Sequence, residues 1–307
     1  MTGNLRAGVV GAGVFGGYHA HKYAGLDGVD LVGVLDSDAA RAAALAGKVG
    51  CAVFTDADAF FAELDVVTIA APASVHAEVA RQALNWGRHV YVEKPLALTY
   101  ADGKALVELA EAKGLVLAAG HQERAILRAI GLLDVPDSPI RMEAVRRSSY
   151  YPGRGTDVSC LLDMAVHDLD MAMALNPTPP VSLKGRGRAD PGPRLDEAWC
   201  EVAFVDGMEF TLDCSRLDDD RKRTLRIVYP AGEVEIDFMA KTFRNTTPYA
   251  LNPDYAETAD GRDPLGASVQ AFLDAVRGKV ERPLVTGGEG LDALDLALRI
   301  EAAVLRK

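Results

Sequence analysis

The sequence predicts an α/β Rossmann domain with a doubly wound parallel sheet, followed by an α+β domain with an open, mainly antiparallel sheet. Three observations carry this expectation. Short apolar runs alternate with Ala-rich helical segments as far as residue 120. Beyond it the rhythm changes to alternating strands separated by hairpin turns. The length of 307 residues, at roughly 150 residues per domain, suggests two domains, here 1–120 and 121–307.

In the first half the strand-like runs are LRAGVV (5–10), DLVGVL (30–35), DVVTIA (65–70), HVYVE (89–93) and LVLAA (115–119). Each is short and apolar on successive residues, as parallel strands buried on both faces require. Between them, ADGKALVELAEAKG spaces Leu106, Val107, Leu109 and Ala110 at helical intervals and places Gly114 where the helix should stop. Repeated strand–helix–strand order implies right-handed crossovers. The second half offers RMEAVRRSSY (141–150), EAWCEVAFV (197–205), MEFTLDCS (208–215), TLRIVY (224–229) and EVEIDF (233–238). Asp206-Gly207 and Ala231-Gly232 mark antiparallel hairpins. A helix is expected over roughly 157–175, a Pro/Gly/Arg-rich loop over 176–194, and a closing helix over 291–305.

Hydrophobic content of 49% with 25% charged residues describes an ordinary globular chain. A formal net charge of −11 disfavours nucleic acid or an anionic membrane as partner. No apolar run reaches the roughly 20 residues that span a bilayer, and the N-terminus shows no signal-peptide pattern. Cys51, Cys160, Cys200 and Cys214 form no C-x-x-C pair, which points to reduced thiols in a cytoplasmic protein.

Gly11-Ala12-Gly13-Val14-Phe15-Gly16 fits G-x-G-x-x-G between a predicted strand and a predicted helix. Gly11 would make the tight turn, Gly13 admit a pyrophosphate to the backbone, and Gly16 let helix and strand pack closely. Asp36 follows at the end of the second strand, where a carboxylate accepts hydrogen bonds from the adenosine ribose and so favours NAD. Arg41 nearby leaves NADP open.

Two further groups have chemistry suited to alcohol oxidation. Lys94, in VYVEKPL, follows the strand 89–93 directly and can point into the crevice bordered by carboxyl ends of strands. An ammonium there could hydrogen-bond a reacting oxygen. His167 and Asp163 lie four residues apart in LLDMAVHDLDMAMAL, on one face of a largely apolar helix, a setting suited to an oriented general base. Of the other histidines, His76 opens a helix after Pro72 and could line the cofactor cleft, whereas His19 reads as structural.

Taken together, GVVGAGVFGGYHA, VLDSD, APASVHAEVARQALNWGRHVYVEKP, DMAVHDLD and the tail DPLGASVQAFLDAVRG resemble the glucose-fructose oxidoreductase / inositol dehydrogenase (Gfo/Idh/MocA) family. The resemblance spans nearly the whole chain. It implies sugar or cyclitol substrates, no metal, and assembly as a homodimer or homotetramer through the second sheet. It implies that Ala71, Pro72, His76, Glu93 and Lys94 line the cofactor, that Lys94 and His167 contact the reacting hydroxyl, that His167 takes its proton, and that Asp163 orients the pair. GHQER (120–124) and RGTDVSCLLDMAVHDLD (154–170) look most like the nucleotide-sugar 3-dehydrogenases that act on C3 of UDP-N-acetylglucosamine. Arg124 and Arg154 would then meet the substrate diphosphate. Inositol or free-sugar oxidation within the family, a non-sugar substrate such as a linear tetrapyrrole or an aromatic dihydrodiol, and a catalytically silent NAD sensor are the other readings.

Overall fold

The computed structural model describes residues 3–149, 157–190 and 193–305. The chain forms two compact units, one of residues 1–122 with 265–291 and one of 123–264 with 292–307. The expected division at 120 thus falls close to the first crossing, but a later stretch, expected in the second domain, packs with the first unit.

The first unit runs β1 (Leu5–Val10), α1 (Val14–Gly25), β2 (Val29–Leu35), α2 (Ala39–Val49), β3 (Ala52–Phe54), α3 (Ala57–Ala62), β4 (Val66–Ile69), α4 (His76–Asn85), β5 (His89–Val92), α5 (Tyr100–Lys113) and β6 (Leu117–Ala119). Its six strands are parallel in the order β3-β2-β1-β4-β5-β6. The order reverses beside β1, the arrangement that opens a ligand crevice at the carboxyl ends of the strands. Thr99 caps α5 by accepting from the Asp102 amide at 3.1 Å, and Gly114 ends it with φ 63°, where a left-handed residue closes a helix without a Cβ clash.

Ala20 and Tyr23 of α1, with Ala42, Leu45 and Ala46 of α2, pack on Leu5, Ala7, Val9, Val29, Val34 and Tyr91 of the sheet. The same core takes in Val269, Phe272, Leu273 and Val276, and the Tyr91 hydroxyl meets that of Ser268 at 3.0 Å. Burying each such large apolar side chain stabilises by about 1.5–3 kcal/mol, which explains why this stretch returns to the first unit.

The second unit comprises α6 (Arg124–Ile130), β7 (Arg141–Arg147), α7 (Val166–Leu175), β8 (Pro180–Arg188), β9 (Glu197–Phe204), β10 (Glu209–Ser215), β11 (Lys222–Tyr229), β12 (Gly232–Asp237), β13 (Thr242–Asn245) and the short α8 (Ala259–Arg262). Helix α9 (Pro264–Val276) supplies the returning apolar residues, and α10 (Gly287–Leu305) begins in the first unit and ends in the second. The second sheet has the order β13-β12-β11-β7-β10-β9-β8. Among the described residues, only its β7–β10 pair is parallel. Period-2 alternation buries Ala198, Cys200, Val202 and Phe204 of β9, Phe210, Leu212 and Cys214 of β10, and Met142, Ala144 and Arg146 of β7. On the other face, Arg226 pairs with Glu143 and Glu233, and Arg244 with Glu233 and Glu235. Such half-exposed pairs contribute about 0–1 kcal/mol each.

Three strands depart from expectation. The short β3 and β13 were not expected, and β8 occupies residues expected to be loop. As the sheet's edge, β8 tolerates an opening Pro180. A Cβ on Gly185 or Gly187 would come within 2.7 or 2.8 Å of Val304, so those glycines serve close packing rather than a turn. The helix expected from 157 begins instead with a π-helical turn, Leu161–Ala165, before α7.

Candidate functional site: a dinucleotide turn and two polar clusters

Gly11 has φ 95°, and a Cβ there would come within 2.6 Å of the Ala70 carbonyl oxygen and the Ala71 nitrogen. A Cβ on Gly16 would collide with the Gly11 carbonyl oxygen. Both positions therefore require glycine, one for conformation and one for packing. Gly13 is different. Its φ is −73°, and nothing lies within 4 Å of where its Cβ would be. Open space thus faces the backbone at the start of α1, where exposed Val14 and then Phe15 follow. The cap residue, Gly13, has no side-chain bond, and the first turn holds no acidic residue. Helix amides left without a side-chain cap attract an anion, so these residues fit a dinucleotide's diphosphate.

Asp36 lies just beyond β2. Its carboxylate accepts from the Ala12 amide at 2.6 Å and the Asp38 amide at 2.8 Å, which ties it to the glycine turn. Arg41 meets it with a fork of 3.1 and 2.7 Å. Burial raises the Asp36 pKa, but Arg41 and the two amides outweigh it and hold the carboxyl below the usual range. An ionised acceptor beside the glycine turn is what a ribose diol requires. Asp36→Ala is expected to weaken NAD binding by about 10- to 100-fold, the loss of hydrogen bonds to a charged group being about 1.5–3 kcal/mol. NADP binding should change far less, because Arg41 is then released. Fluorescence titration with both dinucleotides measures this, and an equal loss for the two would contradict it.

After β5 comes Glu93, then Lys94, joined to Pro95 by a cis peptide bond. Glu93 is 5% exposed, and its carboxylate meets His19 Nε2 at 2.8 Å. Behind it, His19 Nδ1 faces the Thr68 hydroxyl at 3.5 Å, which meets the Tyr23 hydroxyl at 2.8 Å. Burial would raise the Glu93 pKa, but His19, Lys94 and His76 overcome it and keep the carboxyl low. Gly120 leaves room for this group, since a Cβ there would sit 2.9 Å from Glu93 Oε2. His19, read from sequence as structural, is fully buried and acts by holding Glu93. Pro72 is exposed and Ala71 half-buried. His76 is buried at 1% exposure with its ring nitrogens on the carbonyl oxygens of Ala71 and Pro95, so it braces two loops rather than presenting a nitrogen to a cleft.

In the second unit, Asp163 lies in the π-helical turn and His167 is the second residue of α7. Single π-turns within α-helices recur at functional sites. Asp163 is half-buried and His167 is 6% exposed. Beside His167, three elements bring together an ionic cluster that sequence reading missed. Arg146 of β7 forks onto Asp168 at 2.5 and 3.0 Å and onto Glu123 at 2.6 and 3.2 Å. Arg223 adds a bridge to Glu123 at 2.8 Å. Burial raises the Glu123 pKa, yet Arg146, Arg223 and His167 together hold it well below the usual range. At Asp168 burial wins over Arg146, and its carboxyl lies above the usual range.

Arg124 corrects an expectation. It is buried at 5% exposure, and its Nε and one terminal nitrogen bind Asp170 at 3.1 and 2.5 Å, an internal pair rather than a fork turned toward a substrate diphosphate. Arg154 lies outside the described residues. No helix among the described residues is long and apolar enough to cross a membrane.

Residues 5–121 match a family described as an oxidoreductase family with an NAD-binding Rossmann fold. Over nearly its full length the chain is 33% identical to the UDP-N-acetylglucosamine 3-dehydrogenase of Acidithiobacillus ferrooxidans, covering 98% of this chain and 97% of that one. A solved structure of the enzyme of that name from the same organism superimposes with a TM-score of 0.90 at 32% identity, covering 98% of both chains. An inositol 2-dehydrogenase of Rhizobium meliloti is 30% identical over 58% of this chain and 57% of its own. With the glycine turn, Asp36 and the two-unit fold already in view, the conclusion is that this chain belongs to the Gfo/Idh/MocA family and is an NAD-dependent oxidoreductase.

Proposed function

We propose that this dehydrogenase oxidises a secondary alcohol of a nucleotide sugar, C3 of UDP-N-acetylglucosamine, to a ketone. The observation that carries this reading is the end-to-end match, at 33% identity, to a UDP-N-acetylglucosamine 3-dehydrogenase. NAD, when bound, supplies the hydride acceptor. Gly13, Val14, Phe15 and Gly16 hold its diphosphate through backbone amides, and Asp36 accepts from its ribose. Glu93 and the loop at Ala71 and Pro72 border it. Lys94 donates a hydrogen bond to the substrate oxygen and favours its alkoxide character. His167 takes the hydroxyl proton, and Asp163 orients it. With Arg124 committed to Asp170, Arg154 is the arginine proposed for the substrate diphosphate.

The test follows NADH formation across UDP-N-acetylglucosamine, other UDP-sugars, free sugars and inositols, with mass analysis of the product. The expected result is turnover of UDP-N-acetylglucosamine with loss of two hydrogens at C3. Turnover confined to inositols or free sugars would instead favour the chemistry named for the inositol 2-dehydrogenase relative. Absence of turnover on every compound would favour an NAD-sensing protein.

A further inference from the structure

Glu93, the residue directly before Lys94, is held from α1, the helix that opens at the phosphate-binding turn. His19 of α1 is fully buried, and its Nε2 lies 2.8 Å from the Glu93 carboxylate. The contacts around this pair set the direction of each proton. Burial opposes ionisation of Glu93, but His19, Lys94 and His76 outweigh it and keep the carboxyl low. An ionised carboxylate only accepts, so His19 Nε2 carries the hydrogen of the ring. A neutral imidazole has one N–H, which leaves Nδ1 as an acceptor, 3.5 Å from the Thr68 hydroxyl. Thr68 donates to Nδ1 and accepts from the Tyr23 hydroxyl at 2.8 Å. Burial raises the Tyr23 pKa, so that hydroxyl keeps its proton. Tyr23 and Thr68 are fully buried as well. The chain from Tyr23 through Thr68 and His19 to Glu93 thus runs one way, with one donor at each link, and ends beside Lys94.

We propose that His19 is a positioning residue for Lys94, its single N–H on Glu93 fastening the turn that carries Lys94 to the helix that receives the dinucleotide's diphosphate. The inference rests on the proposed role of Lys94 in the reaction. Two effects reach Lys94 along the chain. Glu93 is pinned, and with it the backbone from which Lys94 starts. The carboxylate also stays charged, near enough for the Lys94 ammonium to act on it. His76 of α4 and Tyr91 of β5 sense the same charge.

Two amides keep opposite halves of the chain, because a Gln amide nitrogen falls near the place of Nε2 and an Asn side chain ends near that of Nδ1. His19→Gln keeps the donor to Glu93 and loses the acceptor for Thr68. His19→Asn keeps the acceptor and loses the donor. His19→Asn is expected to lower kcat by about 10-fold. At fixed pH it should also raise the rate at which an amine-reactive reagent labels Lys94 by about 3- to 10-fold, because a buried carboxyl without its donor gains protons and leaves the amine free more of the time. Labelling is read by mass spectrometry without any substrate. His19→Gln should leave both rates within about 2-fold of the unaltered protein. The two variants should lose thermal stability alike, each lacking one buried hydrogen bond, so a merely structural His19 would move them together. Glu93→Gln removes the charge while keeping an acceptor for His19, and should label as His19→Asn does. Should His19→Asn fail to fold, Glu93→Gln decides. The inference is overturned if His19→Asn and His19→Gln label Lys94 at the same rate, or if Glu93→Gln labels as the unaltered protein does. Lys94→Met keeps the two readings apart. Undiminished kcat in that variant would end the proposed role of Lys94, while the labelling rates still judge the hold of His19 on the turn.

Discussion

His167→Ala is expected to lower kcat by about 10²- to 10⁴-fold, the range typical of a general base in proton transfer. NAD affinity should stay close to that of the unaltered enzyme, since the dinucleotide turn and Asp36 belong to the other unit. The expectation follows from chemistry as well as place. An imidazole titrates near neutrality and can accept a hydroxyl proton as hydride departs. Its surroundings are built to hold it still: the π-helical turn precedes it, Leu169, Met171 and Ala172 are buried on the same helix, and the low-pKa carboxylate of Glu123 is close enough to feel its charge. Steady-state rates on the best substrate, with the thermal midpoint as a check on folding, supply the measurement. Full activity in this variant would remove His167 from the reaction.

The largest effect on stability is expected at Arg146. Replacing it with Leu leaves Glu123 and Asp168 buried, at 3% and 0% exposure, without the guanidinium that meets both. Breaking a buried ion pair from one side typically costs about 3–5 kcal/mol. The pH dependence has a defined sign. In the unaltered protein Glu123 is held below its ordinary range, so its stabilising contribution is present at neutral pH and is lost as pH falls through that depressed value. Without Arg146, burial pushes the Asp168 carboxyl further above its unfolded value, and Glu123, left with Arg223 as its guanidinium partner, also rises. Groups of that kind favour the folded state at low pH and penalise it as pH rises. The gap in stability between the two proteins should therefore be widest near neutrality and narrow toward about pH 4. Denaturant unfolding across that range measures it. A gap under 1 kcal/mol, or one that widens on acidification, would contradict the assignment.

Much of this was legible in the sequence where a local pattern is forced by local physics. Parallel strands buried on both faces must be apolar on successive residues, so β1, β2, β4 and β5 declared themselves. Gly11, Gly16 and Asp36 could be read because turn, packing and acid fall at set spacings. What escaped depended on partners distant in the chain. Nothing near Arg146 announces that Glu123 and Asp168, 23 and 22 residues away, will share its guanidinium. Only the inward alternation of β7 hinted that a charge would face the interior. Likewise Arg124 looked available for a phosphate because Asp170 is 46 residues off. β8 was hidden by its own composition, since Pro, Gly and Arg read as loop until an edge position and a close neighbour in Val304 explain them. His76 looked like a group for a cleft because sequence names a side chain and not the carbonyls it meets.

The return of residues 265–291 to the first unit bears on how that unit can be handled. A fragment ending at Gln122 would contain every strand of the parallel sheet and the whole glycine turn, yet it would bare the surface that Val269, Phe272 and Leu273 cover and strand the Tyr91 hydroxyl without Ser268. Exposed apolar area of that kind invites aggregation. During synthesis, the nucleotide-binding half must wait for the ribosome to deliver most of the chain before its hydrophobic wall closes. An isolated version for binding work calls for a graft of α9 behind β6, not for a simple cut.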